Sequence, residues 1–209
     1  MDKDKALAKE MIKNFTFKQK VEHFWYYYGK YTIAAICALA FVVFTVVECV
    51  MKVDYDLNIA YYTCRRVDRE AVQTLADSLE PLINDISNNE KKDVQIAVTE
   101  ANITNGEYNE VTEAALNKIP VELAADEFQL YILDENYLEF FNRAFEGVFQ
   151  SIMTLSDIPE VNKALGFAEG EKVYLAMTIE FEQSKGNELK DAERENAALI
   201  MDYFENMLK

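Results

Sequence analysis

The apolar run from Tyr31 to Met51 constrains this chain most, because its sequence, YTIAAICALAFVVFTVVECVM, carries a single charged residue, Glu48. At about 1.5 Å per residue the run is about 30 Å long as a helix, enough to cross the hydrocarbon core of a bilayer. A helix also satisfies its own backbone donors and acceptors, as lipid requires. The run therefore predicts a transmembrane helix at 31–51.

The charge on either side of this run predicts its orientation. Residues 1–30 carry a net charge of +3, whereas the residues from 52 onward carry 14 Lys or Arg against 32 acidic residues, a net charge of -18. Basic flanking segments stay on the cytoplasmic side of a membrane. We therefore predict a cytoplasmic basic and aromatic juxtamembrane segment at 1–30, the transmembrane helix at 31–51 and an extracytoplasmic acidic domain at 52–209.

The segment before the run is longer than the start of a cleaved signal peptide, and no small-residue cleavage site follows the run. These features predict an uncleaved signal anchor and a single-pass protein of the cell membrane. Thr16 and Gln19 have the spacing of a capping box, which predicts that an interfacial helix begins there and leads into the span. Amphipathic rings favour the headgroup region. The residues predicted to lie at this membrane interface are Trp25, Tyr26, Tyr27, Tyr28 and Tyr31.

Strand and helix patterns alternate through the outer domain. Runs rich in apolar residues predict strands at 54–62, 93–100, 128–133 and 172–181, and helical periodicity predicts helices at 67–84, 108–119, 134–146, 159–165 and 187–209. This order predicts an α/β domain with a mostly parallel sheet of four to five strands and helices on both faces.

Two details of these helices are specific enough to test. The helix at 108–119 is predicted to end at Pro120, with Tyr108, Val111, Ala115 and Ile119 on one face, and a short further helical turn follows it. The last helix is predicted to bury Ile200, Tyr203 and Met207.

The residues that catalysis most often uses are missing from the outer domain. The only histidine, His23, lies before the span, and no glycine-rich phosphate loop is present. The polar stretch 85–90 lacks the glycine and the final acid of a calcium loop, so a plain loop is predicted there. Cys64 is the domain's single cysteine, which excludes a disulfide within it. We therefore predict a non-enzymatic domain with no metal and no cofactor.

One sheet edge is a candidate ligand site. In parallel α/β sheets ligands bind at the carboxyl ends of strands, and two arginines beside free backbone N–H groups are able to hold an anion. The residues predicted for such a site follow the first two strands and are Thr63, Arg65, Arg66, Asn102 and Thr104. The alternative is that the arginines neutralise an acidic surface, with Arg66 paired to Glu70.

The junction FKQKVEHFWYYY at 17–28, together with the span and the strand DYDLNIAY at 54–61, resembles a family of single-pass membrane proteins from clostridial-type Gram-positive bacteria. No activity is attached to that family. The resemblance implies the same single-pass arrangement for this chain.

Within the outer domain, the run LAADEFQLYILD at 123–134, followed by a short helix, Gly147 and Leu155, resembles part of extracellular solute-binding proteins, and VYLAM at 173–177 resembles their return strand. Those proteins have two lobes, and 158 residues correspond to one. The resemblance implies a single lobe, with no second lobe to close over a solute.

The sequence thus favours a membrane-anchored extracytoplasmic binding or interaction module without catalysis, for example an accessory subunit of a membrane complex. Its expected partners are the lipid bilayer and another membrane or extracytoplasmic protein, and the acidic charge argues against nucleic acid. A ligand sensor that binds a small molecule is the first alternative, and an enzyme is the second. A pocket with convergent polar groups would favour the sensor, whereas an apolar patch would favour assembly.

Overall fold

The structure is a computed structural model that describes residues 16–51, 55–104, 109–167 and 170–209. It divides into two compact units, Met1–Val53 and Asp54–Lys209. The first contains one long helix among its described residues, and the second contains a sheet with helices on both of its faces.

Helix α1 spans Phe17–Met51 and contains 35 residues, so the predicted interfacial helix and the predicted span form one continuous element. It is long and apolar enough to cross a membrane. The Gln19 side chain accepts the backbone N–H of Thr16 at 2.9 Å, as the capping-box spacing predicts. The hydroxyls of Thr32 and Thr45 each donate to the carbonyl four residues earlier, which satisfies both hydroxyls inside the helix.

The second unit is built on a sheet of five strands in the order β2-β1-β3-β5-β4. The strands are β1 (Leu57–Thr63), β2 (Val94–Glu100), β3 (Leu130–Asp134), β4 (Phe149–Thr154) and β5 (Val173–Thr178). β1 is parallel to both β2 and β3, whereas β5 is antiparallel to both β3 and β4. Four strands therefore point the same way and one points the opposite way, which confirms a mostly parallel sheet.

Five longer helices and two short 3-10 turns connect or follow these strands. The helices are α2 (Arg69–Leu79), α3 (Glu110–Ala125), α4 (Glu135–Ala144), α5 (Pro159–Leu165) and α6 (Glu188–Met207), and the turns are Glu80–Leu82 and Glu182–Ser184. Asp68, Asn109, Asp134 and Asn187 cap four of these helices through side-chain oxygens that accept backbone N–H groups.

Alternation along the strands divides the core into two layers, one on each face of the sheet. One layer joins Ile59, Ile132 and Leu175 to the buried sides of α2, α5 and α6. The other joins Tyr62, Tyr131 and Ala176 to α3 and α4 and is rich in aromatic rings. Helices therefore cover both faces, which confirms the α/β architecture.

The fourth strand of the structure is missing from the sequence prediction, which treats 148–170 as mixed. β4 forms one edge of the sheet, and only part of each of its side chains is buried, so its apolar pattern is weak. Its presence makes β5 the fifth strand. β4 is followed by α5 and then by its neighbour β5, and the two strands pair antiparallel.

Two details of the helix predictions are wrong. α3 continues through Pro120 to Ala125, because burial of residues on both sides of the exposed proline outweighs the one helical hydrogen bond that is lost there. Its buried face includes Ala115, Ile119 and Leu123, while Val111 is exposed and Tyr108 lies outside the described residues. In α6, Ile200 is buried as predicted, but Tyr203 and Met207 are exposed and Met201 and Phe204 are buried instead.

A buried polar cluster secures the amino end of β1. The carboxylate of Asp56 is fully buried and accepts the backbone N–H groups of Ile86, Ser87 and Asp93 at 2.8–2.9 Å. The side chain of Asn196, on α6, donates to the carbonyls of Asp56 and Asn84. These bonds satisfy polar groups that would otherwise be buried without partners, and they fix the loop after α2.

Candidate functional site

The carboxyl edge of the sheet has the topology at which α/β proteins form a crevice. β1 and β3 are neighbours, and the helices that follow them pack on opposite faces, α2 with the layer of Ile59 and α4 with the layer of Tyr62. The chain segments after the two strands therefore diverge, and such a switch point is the usual ligand position in open sheets. Cys64 and Arg65 follow β1 here, and Asn136 follows β3.

Asp134 occupies the centre of this crevice. One of its carboxylate oxygens accepts the backbone N–H of Cys64 at 2.5 Å, and the other accepts the backbone N–H of Tyr137 at 3.0 Å. The hydroxyl of Tyr137 in turn donates to the carbonyl of Ala101, after β2. One buried carboxylate thus connects the end of β1 to the start of α4. It also occupies the N–H group of Cys64, which is therefore not free to bind an anion.

Arg65 is half-buried and is also held by groups of the domain itself. Its Nε atom lies 2.7 Å from a carboxylate oxygen of Glu171, and its guanidinium lies over the ring of Phe167 at 5.3 Å from the ring centroid. A terminal nitrogen also donates to the carbonyl of Leu165. This guanidinium therefore joins the end of β1 to the segment between α5 and β5.

The structure brings the other predicted residues to the same edge in different environments. Thr63 is buried, and its hydroxyl oxygen accepts the N–H of Arg65 at 3.3 Å, whereas Arg66 is exposed and forms no ion pair with any described residue. Asn102 and Thr104 are exposed, and the side-chain oxygen of Asn102 accepts both the N–H and the hydroxyl of Thr104. The anion site stays a prediction, with Arg66 as its exposed cation.

Burial controls the titration of side chains at this edge. It raises the pKa of the Cys64 thiol to about 11, and it raises the pKa of Tyr61 to about 12 although Arg65 nearby acts in the opposite direction. A thiol with a raised pKa is protonated and weakly nucleophilic at neutral pH. Cys64 therefore lacks the microenvironment of a catalytic nucleophile.

A polar pocket of about 230 Å³ lies beside Cys64, between α4 and the segment that follows β2. Its lining residues are Ile103, Thr104, Asn136, Glu139, Phe140 and Arg143. Thr104 is a predicted site residue, whereas the side chains on α4 are not in the predicted set. Polar groups of both charges converge on this pocket.

A larger groove, of about 310 Å³, lies at the opposite edge, where β5 ends and β4 begins. It is predominantly apolar, and it is lined by Pro120, Leu123, Ala124, Phe145, Glu146, Gly147, Val148, Ile179, Phe181 and Gln183. We call these residues the apolar groove. Gly147 has a φ of +74°, a conformation that suits glycine, and it turns the chain from α4 into β4.

The floor of the apolar groove is the aromatic layer of the core. Phe145 contacts Phe141 with ring centroids 5.8 Å apart, and Phe141 contacts Tyr62 and Tyr131. The hydroxyl of Tyr62 donates to the buried carboxylate of Glu122, which also pairs with Lys118 at 2.5 Å. Packed aromatic rings therefore lie below this wall, and the Glu122 carboxylate behind them is held by Tyr62 and Lys118.

The apolar groove is not among the sites predicted from the sequence. Three segments that are far apart in the sequence build it, and each is short and only partly apolar. One signal was available: the stretch IEFE at 179–182 alternates apolar and acidic residues beyond the end of the buried run. Ile179 is 37% exposed, so this alternation indicates an apolar surface rather than core.

Among the described residues, no group of three or more His, Cys, Asp or Glu side chains is placed to hold a metal ion. The loop at 85–90 bonds to itself, since the Asp85 carboxylate accepts from Ser87 and Glu90. No protein-family model, no curated protein and no solved structure matches the chain. The two resemblances described above therefore stay predictions.

Proposed function

We propose that this chain is a single-pass membrane protein whose acidic α/β domain lies outside the cytoplasm and binds another protein, without catalysing a reaction. The observation that carries this proposal is the apolar groove: the larger of the two concavities described above is apolar and open. Apolar concave surfaces of this kind are typical of protein contacts. An accessory role in a membrane complex is the form that we favour.

The negative charge around the apolar groove indicates which residues a partner segment should carry. Glu146 lines the apolar groove, and the exposed Glu180 and Glu182 alternate with lining residues, Glu182 being already paired with Lys185. The residues from 52 onward carry a net charge of -18. A partner segment with an apolar side chain flanked by Lys or Arg is therefore complementary, since basic residues would meet this acidic rim.

Site-specific photo-crosslinking in native membranes tests the proposal. A photo-reactive residue replaces Ile179 in the apolar groove of the full chain, and the matched control carries it at Leu199, an exposed apolar position on α6. We expect position 179, but not position 199, to give one protein adduct, and the crosslinked segment to contain Lys or Arg beside an apolar residue. Adducts of equal yield at both positions, or lipid adducts alone, would contradict the proposal.

The polar pocket beside Cys64 favours a second candidate, a ligand sensor, because groups of both charges converge at the switch point of the sheet. A library of small polar metabolites tests it through the shift in unfolding temperature of the full chain. A stabilising ligand whose effect is lost in Arg143→Ala and kept in Arg66→Ala would support a sensor with its site in this pocket.

A further inference from the structure

We propose that the outer edge of β4 accepts an extended segment of the protein partner, which adds to the sheet as a sixth strand. The inference rests on the interaction function proposed above and specifies how the partner binds. Strand addition to an exposed sheet edge is a common mode of peptide recognition, in which main-chain bonds supply affinity and flanking side chains supply specificity.

The hydrogen-bonding pattern shows which groups of β4 are available. Leu155 donates its N–H to the carbonyl of Val173 at 2.7 Å, so this antiparallel pair is a hydrogen-bonded one. Because such pairs alternate, Ser151 and Met153 bond toward β5, while the N–H and C=O groups of Ile152 and Thr154 point outward. No described residue forms a hydrogen bond with these outward groups.

The regularly paired part of the edge, 151–154, also lacks charges and prolines, two of the features that usually prevent strand addition. The β4 sequence FQSIMT contains no charged residue and no proline, and the side chain of Ile152 is 44% exposed. Natural sheets protect free edges with charges, prolines or covering elements. The irregularity of β4 lies between Phe149 and Ser151, so residues 151–154 remain regularly paired. By contrast β2, at the other edge, ends in the charged Glu100.

Charge favours a basic partner over a second copy of this chain. Exposed carboxylates stand at both ends of the edge, Glu146 before β4 and Asp157 after it, and the acidic rim of the apolar groove adjoins its first residue. Two copies would each bring the same excess of negative charge to the contact. A segment of about six residues, about 20 Å long, with Lys or Arg at its ends fits this edge.

The inference is tested with a fluorescent synthetic peptide of sequence Lys-Val-Thr-Val-Thr-Val-Lys and the full chain in phosphatidylcholine nanodiscs. Binding is followed by fluorescence anisotropy, and amide hydrogen exchange is measured over residues 149–154. We expect saturable binding that slows exchange at Ile152 and Thr154. The control peptide has the same sequence with alternate backbone nitrogens methylated, and we expect it not to bind, because it cannot complete the ladder.

A proline variant tests the same bonds from the side of the protein. Ile152→Pro removes one outward N–H and leaves the bonds to β5 in place, so we expect at least about tenfold weaker binding with little change in unfolding temperature. The matched control Ile152→Val keeps the N–H and should bind normally. Equal binding by the methylated and unmethylated peptides, or no binding of either, would overturn the inference.

Two further results separate this inference from the proposed function and from self-association. If position 179 crosslinks to a protein but Ile152→Pro leaves that adduct unchanged, the interaction function holds and the strand addition fails. If sedimentation shows a dimer of the full chain that Ile152→Pro dissociates, the occupant is a second copy and the basic partner is excluded.

Discussion

At the scale of the single residue, Asp56 makes the clearest contribution to stability. Its carboxylate is fully buried at the amino end of β1 and accepts three backbone N–H groups of the loop that follows α2. A carboxylate in this position replaces the water that those N–H groups would otherwise bind. The loop therefore has a defined conformation although its sequence, DISNNEKK, is strongly polar.

Substitution of Asp56 by alanine should lower the free energy of unfolding by about 3–5 kcal/mol, because several N–H groups lose their acceptor at once. Asp56→Asn keeps one acceptor oxygen and should cost less than half as much. Urea unfolding of the full chain in detergent, followed by circular dichroism, measures both values. Equal effects of the two variants would show that the side-chain oxygens do not hold the loop.

The raised pKa of Cys64 predicts slow alkylation. At pH 7.5 the thiol of the folded chain should react with iodoacetamide about 100-fold more slowly than a free thiol, because its pKa is about 11 instead of 9. The rate should rise with pH until about pH 11. A chain with Cys37→Ala and Cys49→Ala isolates this thiol, and the same chain unfolded in urea is the control.

The same shift links Cys64 to stability at alkaline pH. Since the folded chain binds the thiol proton more tightly than the unfolded chain, its contribution is fully present below about pH 9 and is lost as the pH rises toward 11. The alkaline decrease in the urea midpoint should be smaller in Cys64→Ser. A thiol that alkylates at the free rate at pH 7.5 would contradict both expectations.

At the scale of the element, α3 contains the least expected local feature, a proline at position 120 of a helix that runs from Glu110 to Ala125. Proline removes one helical hydrogen bond, here the bond to the carbonyl of Leu116, and its ring crowds the preceding turn. The helix continues because Ile119 and Leu123 are buried on either side of the proline. Tertiary packing therefore determines the length of this element more than local propensity does.

Pro120→Ala should raise the free energy of unfolding by about 1–3 kcal/mol, because alanine restores the missing N–H and the site is exposed. The loss of proline also makes the unfolded chain more flexible, which reduces the gain. Val121→Ala, at the exposed neighbouring position, is the matched control and should change stability by less than about 0.5 kcal/mol. A destabilised Pro120→Ala would mean that the proline itself supports α3.

The strands and helices differ in how far they could be predicted from the sequence. The strand runs LNIAYYT and LYILD are continuous and apolar because both of their faces are covered, so their position could be predicted. The position of β4 could not be predicted, since its sequence FQSIMT has polar residues at 150 and 151 and lacks the β-branched alternation of the other edge strand, VQIAVTE. In α6 the exposure of Tyr203 and Met207 follows from how α2 and α5 pack beside them, which the sequence of α6 does not contain.

The candidate sites, too, could be predicted only in part from the sequence. Residues at the carboxyl edge could be predicted, because strand ends in a parallel sheet meet at one edge whatever their side chains are. Their partners could not, because Asp134 and Glu171 reach Cys64 and Arg65 only through the order of the strands. The apolar groove likewise joins Leu123, Phe145 and Phe181, which are separated by long stretches of sequence.

At the scale of the whole molecule, the proposal requires that the two ends of α1 lie on opposite sides of a membrane. Single cysteines at Lys18 and at Lys185, both exposed, test this in a chain without native cysteines. A membrane-impermeant maleimide should label Lys185→Cys in intact cells and Lys18→Cys only after permeabilisation. The reverse pattern would place the acidic domain in the cytoplasm.

The central claim is that a protein partner occupies the apolar groove and the β4 edge in the native membrane. Amide hydrogen exchange of the full chain in native membrane vesicles, compared with the purified chain in nanodiscs, tests it most directly. We predict slower exchange in native vesicles over 145–154 and 179–183, with the exposed face of α6 around 199 unchanged. Equal exchange of all these segments in the two preparations would contradict the claim.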